Sequence, residues 1–296
     1  MSPPTGLSVW VTAARPKTLA AAFAPVLLGT VLAWEAGGFH EWAAACALTC
    51  AILIQVGTNY CNDYADFARG ADTSERKGPL RVTQAAMVSE RTIKTAAALV
   101  FALSFLIGLY LVNRGGWVIL LIGLVAIAAG ALYTAGRFPL GYLGLGDLFV
   151  LIFFGPVAVG GTYYVQTLEI TPTIIVAGFA PGLLATAILV VNNVRDIEED
   201  RKAGKKTLVV RFGRRFGIGL WVGCVVVAAL LPLEIVVATG GQHTWAGATA
   251  LILLPAMAVF HKLHTSTDPE VLNPLLGQTA LLLLAHSIIF SVGWIL

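Results

Sequence analysis

Nine apolar stretches, near 18–34, 43–61, 95–112, 117–133, 146–164, 173–191, 216–238, 246–261 and 276–295, take up most of this chain. Each is about 16–23 residues long, close to what a helix needs to cross a roughly 30 Å hydrocarbon core. In lipid every backbone polar group must find its partner inside the protein, and a helix does this within one segment. The pattern therefore predicts an all-α fold, a polytopic transmembrane helical bundle of about nine spans. Composition agrees. Of 296 residues, 57% are hydrophobic and only 12% charged, whereas a soluble domain carries about 25% charged residues. A soluble globular enzyme is excluded, and no nucleic-acid partner is expected.

The basic residues orient the spans. With the N-terminus inside, one side holds Arg15, Lys17, Arg137, Lys262 and the basic residues of 69–94 and 195–215, which is eighteen of the nineteen lysines and arginines. Arg114 alone falls on the other side. The positive-inside rule then places the N-terminus in the cytoplasm and the C-terminus outside, with the protein integral to the cell (inner) membrane. Trp34, Trp42, Trp117, Trp245 and Trp294 all fall at predicted outer ends, where amphipathic rings sit at the lipid headgroups. No basic segment followed by an apolar core precedes Arg15, so no cleaved leader is expected.

The whole chain, 1–296, reads as one membrane domain. Two connections are long, 62–94 and 193–215, and both fall on the cytoplasmic side. They follow the second and sixth spans, which suggests two four-helix units plus a ninth helix. Four cysteines, Cys46, Cys50, Cys61 and Cys224, form no CxxC pattern, so neither a disulfide nor a zinc site is expected.

The chemistry is concentrated in those two connections. The first begins Asn59, Asn62, Asp63, Asp66 and continues to Asp72; the second carries Asn192, Asp196 and Asp200. Acids at the end of a membrane span are costly and tend to mark sites. Asn192, Asp196 and Asp200 are spaced i, i+4, i+8, which puts them on one helix face over about 12 Å. Carboxylate and amide oxygens are hard ligands suited to Mg²⁺, which is usually held by few carboxylates together with substrate phosphates. No histidine or further cysteine chemistry accompanies them, which argues against zinc or copper. Basic residues follow each cluster: Arg69, Arg76, Lys77 and Arg81, then Arg201, Lys202, Lys205 and Lys206. Arg15 and Lys17 lie just before the first span and can reach the same mouth. Such cations suit a diphosphate, and Lys205 and Lys206 rank first because Gly204 sets them close to Asp200. Wetted loop acids paired with neighbouring arginines are the blander alternative; two clusters of matching composition speak against it.

Together these residues resemble the UbiA-type membrane prenyltransferases. Asn62-Asp63-Tyr64-Ala65-Asp66 looks like the opening of their first aspartate-rich motif, and Asp196-Ile197-Glu198-Glu199-Asp200 looks like their second. Arg15-Pro16-Lys17-Thr18-Leu19, and Ala203-Gly204-Lys205-Lys206-Thr207-Leu208, look like the branch that accepts 1,4-dihydroxy-2-naphthoate. The usual third acid of the first motif falls on Gly70 here, with Asp72 two residues further on. The resemblance implies transfer of a polyprenyl group from a polyprenyl diphosphate to 1,4-dihydroxy-2-naphthoate, with loss of diphosphate and CO₂, dependent on Mg²⁺. It implies metal ligation by Asp63, Asp66, Asp72, Asp196 and Asp200, and catalytic roles for Asp66, Asp196 and Lys205. Asn62, Asn192, Arg15, Lys17, Arg69, Lys77 and Lys206 would bind substrate. Tyr60, Tyr64, Phe67, Tyr133, Phe149, Phe153 and Tyr163 are aromatic candidates for shielding an allylic cation. Rival readings are prenylation of 4-hydroxybenzoate or homogentisate, a cation-coupled transporter, and a lipid-diphosphate phosphatase. His286, Gln278 and Gln55 read as helix–helix hydrogen bonds, and Pro181 and Gly155-Pro156 as kinks.

Overall fold

A computed structural model of the chain describes residues 6–70, 78 and 81–296. Among the described residues there are helices and connections and no strand. A short helix α1, Leu7–Ala14, leads into α2, Pro16–Glu35. Then follow α3, Glu41–Ala68, α4, Glu90–Gly115, α5, Trp117–Leu132, and α6, Gly146–Thr167. The second half comprises α7, Pro172–Arg195, α8, Ile197–Lys202, α9, Leu208–Phe212, α10, Arg214–Ala238, α11, Thr244–Thr265, and α12, Pro269–Ile295. Each of the nine apolar stretches becomes a helix. Eight are long and apolar enough to cross a membrane, and α5 is a shorter apolar helix of 16 residues.

The helix starts follow local chemistry. Pro16, Pro172 and Pro269 each open a helix at its first position, where the missing N–H is not needed. Thr171 and Ser89 accept from the amides of Ile174 and Thr92, satisfying donors the first turn leaves open. Leu99, Leu106, Leu121, Leu254 and Leu281 stand exposed on the outer surface. In water such a belt would aggregate; in a bilayer it faces lipid. Trp34, Trp42, Trp117 and Trp245 are exposed as well, while Trp294 is buried and stacks on His243.

The central helix is α7. It packs against α6, α10 and α12 and buries most of its length. Small residues, among them Ala177, Gly178, Ala180, Gly182 and Ala185, let its neighbours approach. Against them α6 breaks regular winding over Phe153–Val157, with Gly155 at φ −112°, ψ −114°. Pro156 cannot donate to the preceding turn, so the backbone loosens there. The expected kink is thus present, and it bulges Phe149 and Phe153, stacked at 5.9 Å, into the interior. His286 is buried and engages the Ala228 carbonyl of α10 at 2.9 Å, and Gln55 donates to Thr18 on α2, both as the sequence suggested.

Both acid clusters lie at the same end of the bundle. The first differs from expectation in its local structure: α3 continues to Ala68, so Asn62, Asp63 and Asp66 sit on its last turns rather than in a connection. Buried partners described below hold those turns. The second cluster begins on α7 and passes into α8 through Asp196, at φ −95°, ψ 13°. Hydrogen bonds Asp196 N–H to Asn192 and Asp200 N–H to Asp196 carry the helical pattern across this slight break.

Candidate active site

Between the helices lies a cavity of about 680 Å³. Asn62 and Asp66 from α3, Asn192 from α7, then Asp196, Asp200 and Lys205 line one end of it. Away from that end the walls turn apolar, with Ile54, Phe105, Leu111, Ile119 and Ile127 among them. The cavity follows α5 nearly from end to end. One compartment thus offers charge at its mouth and a long greasy interior.

Local structure explains why the charges meet. Helix α8 closes with Gly204 at φ 73°, a conformation that a side chain would strain. The Gly204 amide donates to Arg201 and the Lys205 amide to Asp200, a C-terminal closure of the Schellman type. That turn folds Lys205 back over the acids, 3.2 Å from Asp200 and 3.7 Å from Asp66. The next amide, Lys206, donates to the Tyr142 carbonyl, and Arg211 donates to Leu143. These bonds pin the 139–145 connection, and the Tyr142 hydroxyl donates to Asp66 at 2.9 Å. Arg81 donates to the other Asp66 oxygen at 3.0 Å.

Asp196 is held differently. The Arg195 guanidinium grips both its oxygens at 2.6 Å, donates to Asn192 at 2.8 Å, and reaches Asn273 on α12 at 2.9 Å. Asp66, Asp196 and Asp200 thus each face a cation: Asp66 with Arg81, Asp196 with Arg195, Asp200 with Lys205. Burial raises the Asp200 carboxyl to about 6, with Lys205 pulling the other way and Asp196 adding to the rise. Burial pulls Lys205 down, yet Asp66 and Asp200 outweigh it and hold the ammonium above the ordinary lysine value. Tyr142 is raised by burial and by Asp66, so it stays a phenol and a donor.

Most of the sequence candidates converge. Asn62, Asp66, Asn192, Asp196, Asp200, Lys205, Arg15 and Lys17 all line the cavity. Asn59 anchors the joint that carries Arg15 and Lys17, donating to Ala14 and Thr18 at 2.8 and 2.9 Å. Three candidates lie elsewhere. Asp63 gives both oxygens to backbone amides, Val82 at 3.2 Å and Thr83 at 2.9 Å, and faces away from the cavity lining. That occupation makes it a clamp on the segment carrying Arg81. Arg69 is exposed, donating to the Gly136 carbonyl and lying 5.0 Å from the Tyr142 ring centroid. Lys206 is exposed, its backbone rather than its ammonium being used. Asp72 and Lys77 fall outside the described residues. Of the aromatic candidates, Tyr133, Phe149 and Phe153 line the cavity; Tyr60, Tyr64, Phe67 and Tyr163 do not.

Arg81, expected among the cations for a diphosphate, is paired with Asp66; the residues missed are Arg195, Tyr142 and Asp147. Arg195 sits inside the second motif and Asp147 is an acid within an apolar span, so both carried a signal. Tyr142 carried none, because its place depends on bonds made 64 residues away in sequence, between Tyr142 and Lys206.

The donor set suits a hard divalent ion: three carboxylates and the Asn62 and Asn192 amides. Among the described residues no three acids, histidines or cysteines converge tightly enough to enclose an ion by themselves. That matches the habit of Mg²⁺, which leaves much of its shell to phosphate oxygens and water.

A chain of membrane helices with paired acid clusters at one end of a deep apolar cavity defines a class, and comparison with known proteins gives it a family. The UbiA prenyltransferase family model matches residues 22–287, and the chain belongs to that family. The 1,4-dihydroxy-2-naphthoate octaprenyltransferase of Haemophilus influenzae is 41% identical over 296 residues, spanning 97% of this chain and 96% of that protein. The protein of the same name from Escherichia coli is 38% identical, spanning 96% and 94%. Among solved structures, a UbiA homolog from Aeropyrum pernix superposes with a TM-score of 0.68 at 20% identity, covering 94% of this chain and 96% of that one. One from Archaeoglobus fulgidus, bound to GPP and Mg²⁺, gives 0.64 at 18%, covering 96% and 100%. At those identities the fold is what is shared.

Proposed function

We propose that this protein transfers a polyprenyl group from an isoprenyl diphosphate to 1,4-dihydroxy-2-naphthoate, releasing diphosphate and CO₂. The observation that carries the reading is the single cavity, charged at one end and apolar along the rest. Full-length identity of 35–41% to four proteins named for this reaction supports the acceptor.

Asp66, Asp196 and Asp200, with Asn62 and Asn192, would hold Mg²⁺, as a fold neighbour bound to Mg²⁺ and GPP suggests. When bound, the ion neutralises diphosphate oxygens and improves the leaving group. Lys205, already charged and poised beside Asp66 and Asp200, takes up the negative charge that grows on the departing diphosphate. Lys17 and Arg15 face the same mouth and serve the remaining oxygens. Arg195 and Arg81 fix the carboxylates that they pair with, so the site is organised before substrate arrives. Tyr133, Phe149 and Phe153 line the cavity, where aromatic rings favour a developing allylic cation and keep water from it. The isoprenoid tail lies in the apolar length along α5.

The acid clusters face the cytoplasm and the C-terminus faces outward, as the distribution of lysine and arginine indicates. The test of the reaction uses purified protein, Mg²⁺, an isoprenyl diphosphate and carboxyl-labelled 1,4-dihydroxy-2-naphthoate. One labelled CO₂ per diphosphate released is expected. A prenylated product that keeps the label would overturn displacement at that carbon. Turnover of 4-hydroxybenzoate alone would change the acceptor, and bare diphosphate hydrolysis would make the protein a phosphatase.

A further inference from the structure

The carboxylate of Asp147 is unexplained by the site as built so far. It stands at the second position of α6, just after the 139–145 connection, and lines the same cavity as Asp66 and Asp200. The residue is only 6% exposed, and its Oδ1 has no hydrogen-bond partner among the described residues. Its main-chain carbonyl is engaged by Thr186 at 3.5 Å, and the carboxylate meets no donor beyond its own main-chain amide, which leaves Oδ1 unfilled. An acid in a first helical turn suits the helix dipole, but that benefit needs neither burial nor a place in a cavity wall. A buried carboxylate oxygen without a donor is costly. Asp63 shows the contrast: an acid with a structural task has both oxygens filled.

The neighbourhood indicates what Asp147 awaits. The Tyr133 hydroxyl lies against Gly146, close enough that a Cβ there would come within 2.7 Å of it. Tyr133 is within electrostatic reach of Asp147, Asp200 and Asp66 alike, and all four line the one cavity. No cation is paired with Asp147 in any ion pair of the described residues, unlike Asp66, Asp196 and Asp200. A lone carboxylate repels a diphosphate and repels the carboxylate of an aromatic acid. It accepts from a hydroxyl.

We propose that Asp147 is the specificity residue for the acceptor, accepting a hydrogen bond from the ring hydroxyl remote from the acceptor's own carboxylate. This rests on the acceptor being 1,4-dihydroxy-2-naphthoate, for which that group is the 4-hydroxyl. Like-charge repulsion selects this end of the ring and turns the carboxyl-bearing carbon toward the diphosphate. A site that hydrogen-bonds a substrate hydroxyl rejects the analogue lacking it far more strongly than an apolar pocket does, because the buried acceptor is left unpaired.

The experiment compares 1,4-dihydroxy-2-naphthoate with 1-hydroxy-2-naphthoate in the wild type, Asp147→Ala and Asp147→Asn. Any difference in ring reactivity is common to all three enzymes and cancels. The wild type should prefer the diol in kcat/KM by about 10⁴-fold. Asp147→Ala should shrink that ratio at least thirtyfold, with KM for the isoprenyl diphosphate within threefold, and Asp147→Asn, which keeps an accepting oxygen, should fall between. An unchanged ratio in Asp147→Ala overturns the assignment. So does loss of thermal stabilisation by isoprenyl diphosphate and Mg²⁺ in both variants, which would mark Asp147 as structural. Failure of the wild type to prenylate the naphthoate would overturn the acceptor itself, and this is read from the wild-type arm alone.

Discussion

Asp63 and Asp66 stand three residues apart on α3 and meet different partners. Asp66 faces Arg81, Tyr142 and Lys205 in the cavity; Asp63 clamps two amides outside it. We therefore expect Asp66→Asn to lower kcat by about 10²–10³, as when a preorganised electrostatic contact is lost. Asp63→Asn should instead lower unfolding stability by about 1–3 kcal/mol, since its amide would point a donor at a backbone donor. Steady-state rates and thermal denaturation of the two variants separate these outcomes. Asp200 gives a pH signature. Its carboxyl is raised from 3.8 to about 6, so below that pH a proton occupies the position where Mg²⁺ would bind. Metal binding then releases the proton, and the half-saturating Mg²⁺ concentration should rise by about tenfold per pH unit below 6. The same shift favours the ligand-free fold below about pH 4, an advantage lost as pH rises through about 6. The motif acids were legible in the sequence because charge inside an apolar chain is conspicuous. Which oxygen serves a metal and which serves an amide was not, because Val82 and Thr83 are ordinary residues whose amides become partners only once the chain has folded back.

At the scale of elements, the crossing of α6 and α7 sets the shape of the cavity. A Cβ at Gly182 would collide with the Leu151 carbonyl and come within 2.8 Å of the Gly155 Cα, and one at Gly178 would lie 2.7 Å from the Pro156 Cα. Both contacts are with backbone, which cannot rotate away. Gly182→Ala should cost about 1–3 kcal/mol of stability and narrow the space beside Phe149 and Phe153. Gly223→Ala, where nothing lies within 4 Å, is the matched control and should hold or raise stability, by up to about 1 kcal/mol. Thermal denaturation in detergent reports both. The helices themselves were plain in the hydropathy, and the Gly155-Pro156 break followed from a missing N–H. The extension of α3 through Asp66 was legible in the i, i+4 spacing of Asn59/Asp63 and Asn62/Asp66 and in Gly70 just beyond, although asparagine and aspartate favour helix ends. Here buried partners override that preference.

Across the whole molecule, the polar ends of α3, α7 and α8 gather on one face, opposite exposed Trp34, Trp42 and Trp117. Single cysteines at exposed Lys202 and Gln242, in a background lacking the native four, should label from opposite sides of sealed vesicles, Lys202 from within. Labelling of both from one side would defeat the topology. One wall of the cavity carries a further consequence. Helix α5 has 16 residues, about 24 Å at 1.5 Å per residue, while α3 beside it has 28 residues. A hydrocarbon core of about 30 Å overhangs α5 by about 6 Å. The bilayer must thin or the helix must sink at that point, and α5 is the cavity wall along which the isoprenoid is proposed to lie. Acyl-chain length thus becomes a variable of the enzyme. Vesicles of shorter-chain phosphatidylcholine should support faster prenylation than those of longer-chain lipid, and the short helix would act as a gauge of membrane thickness.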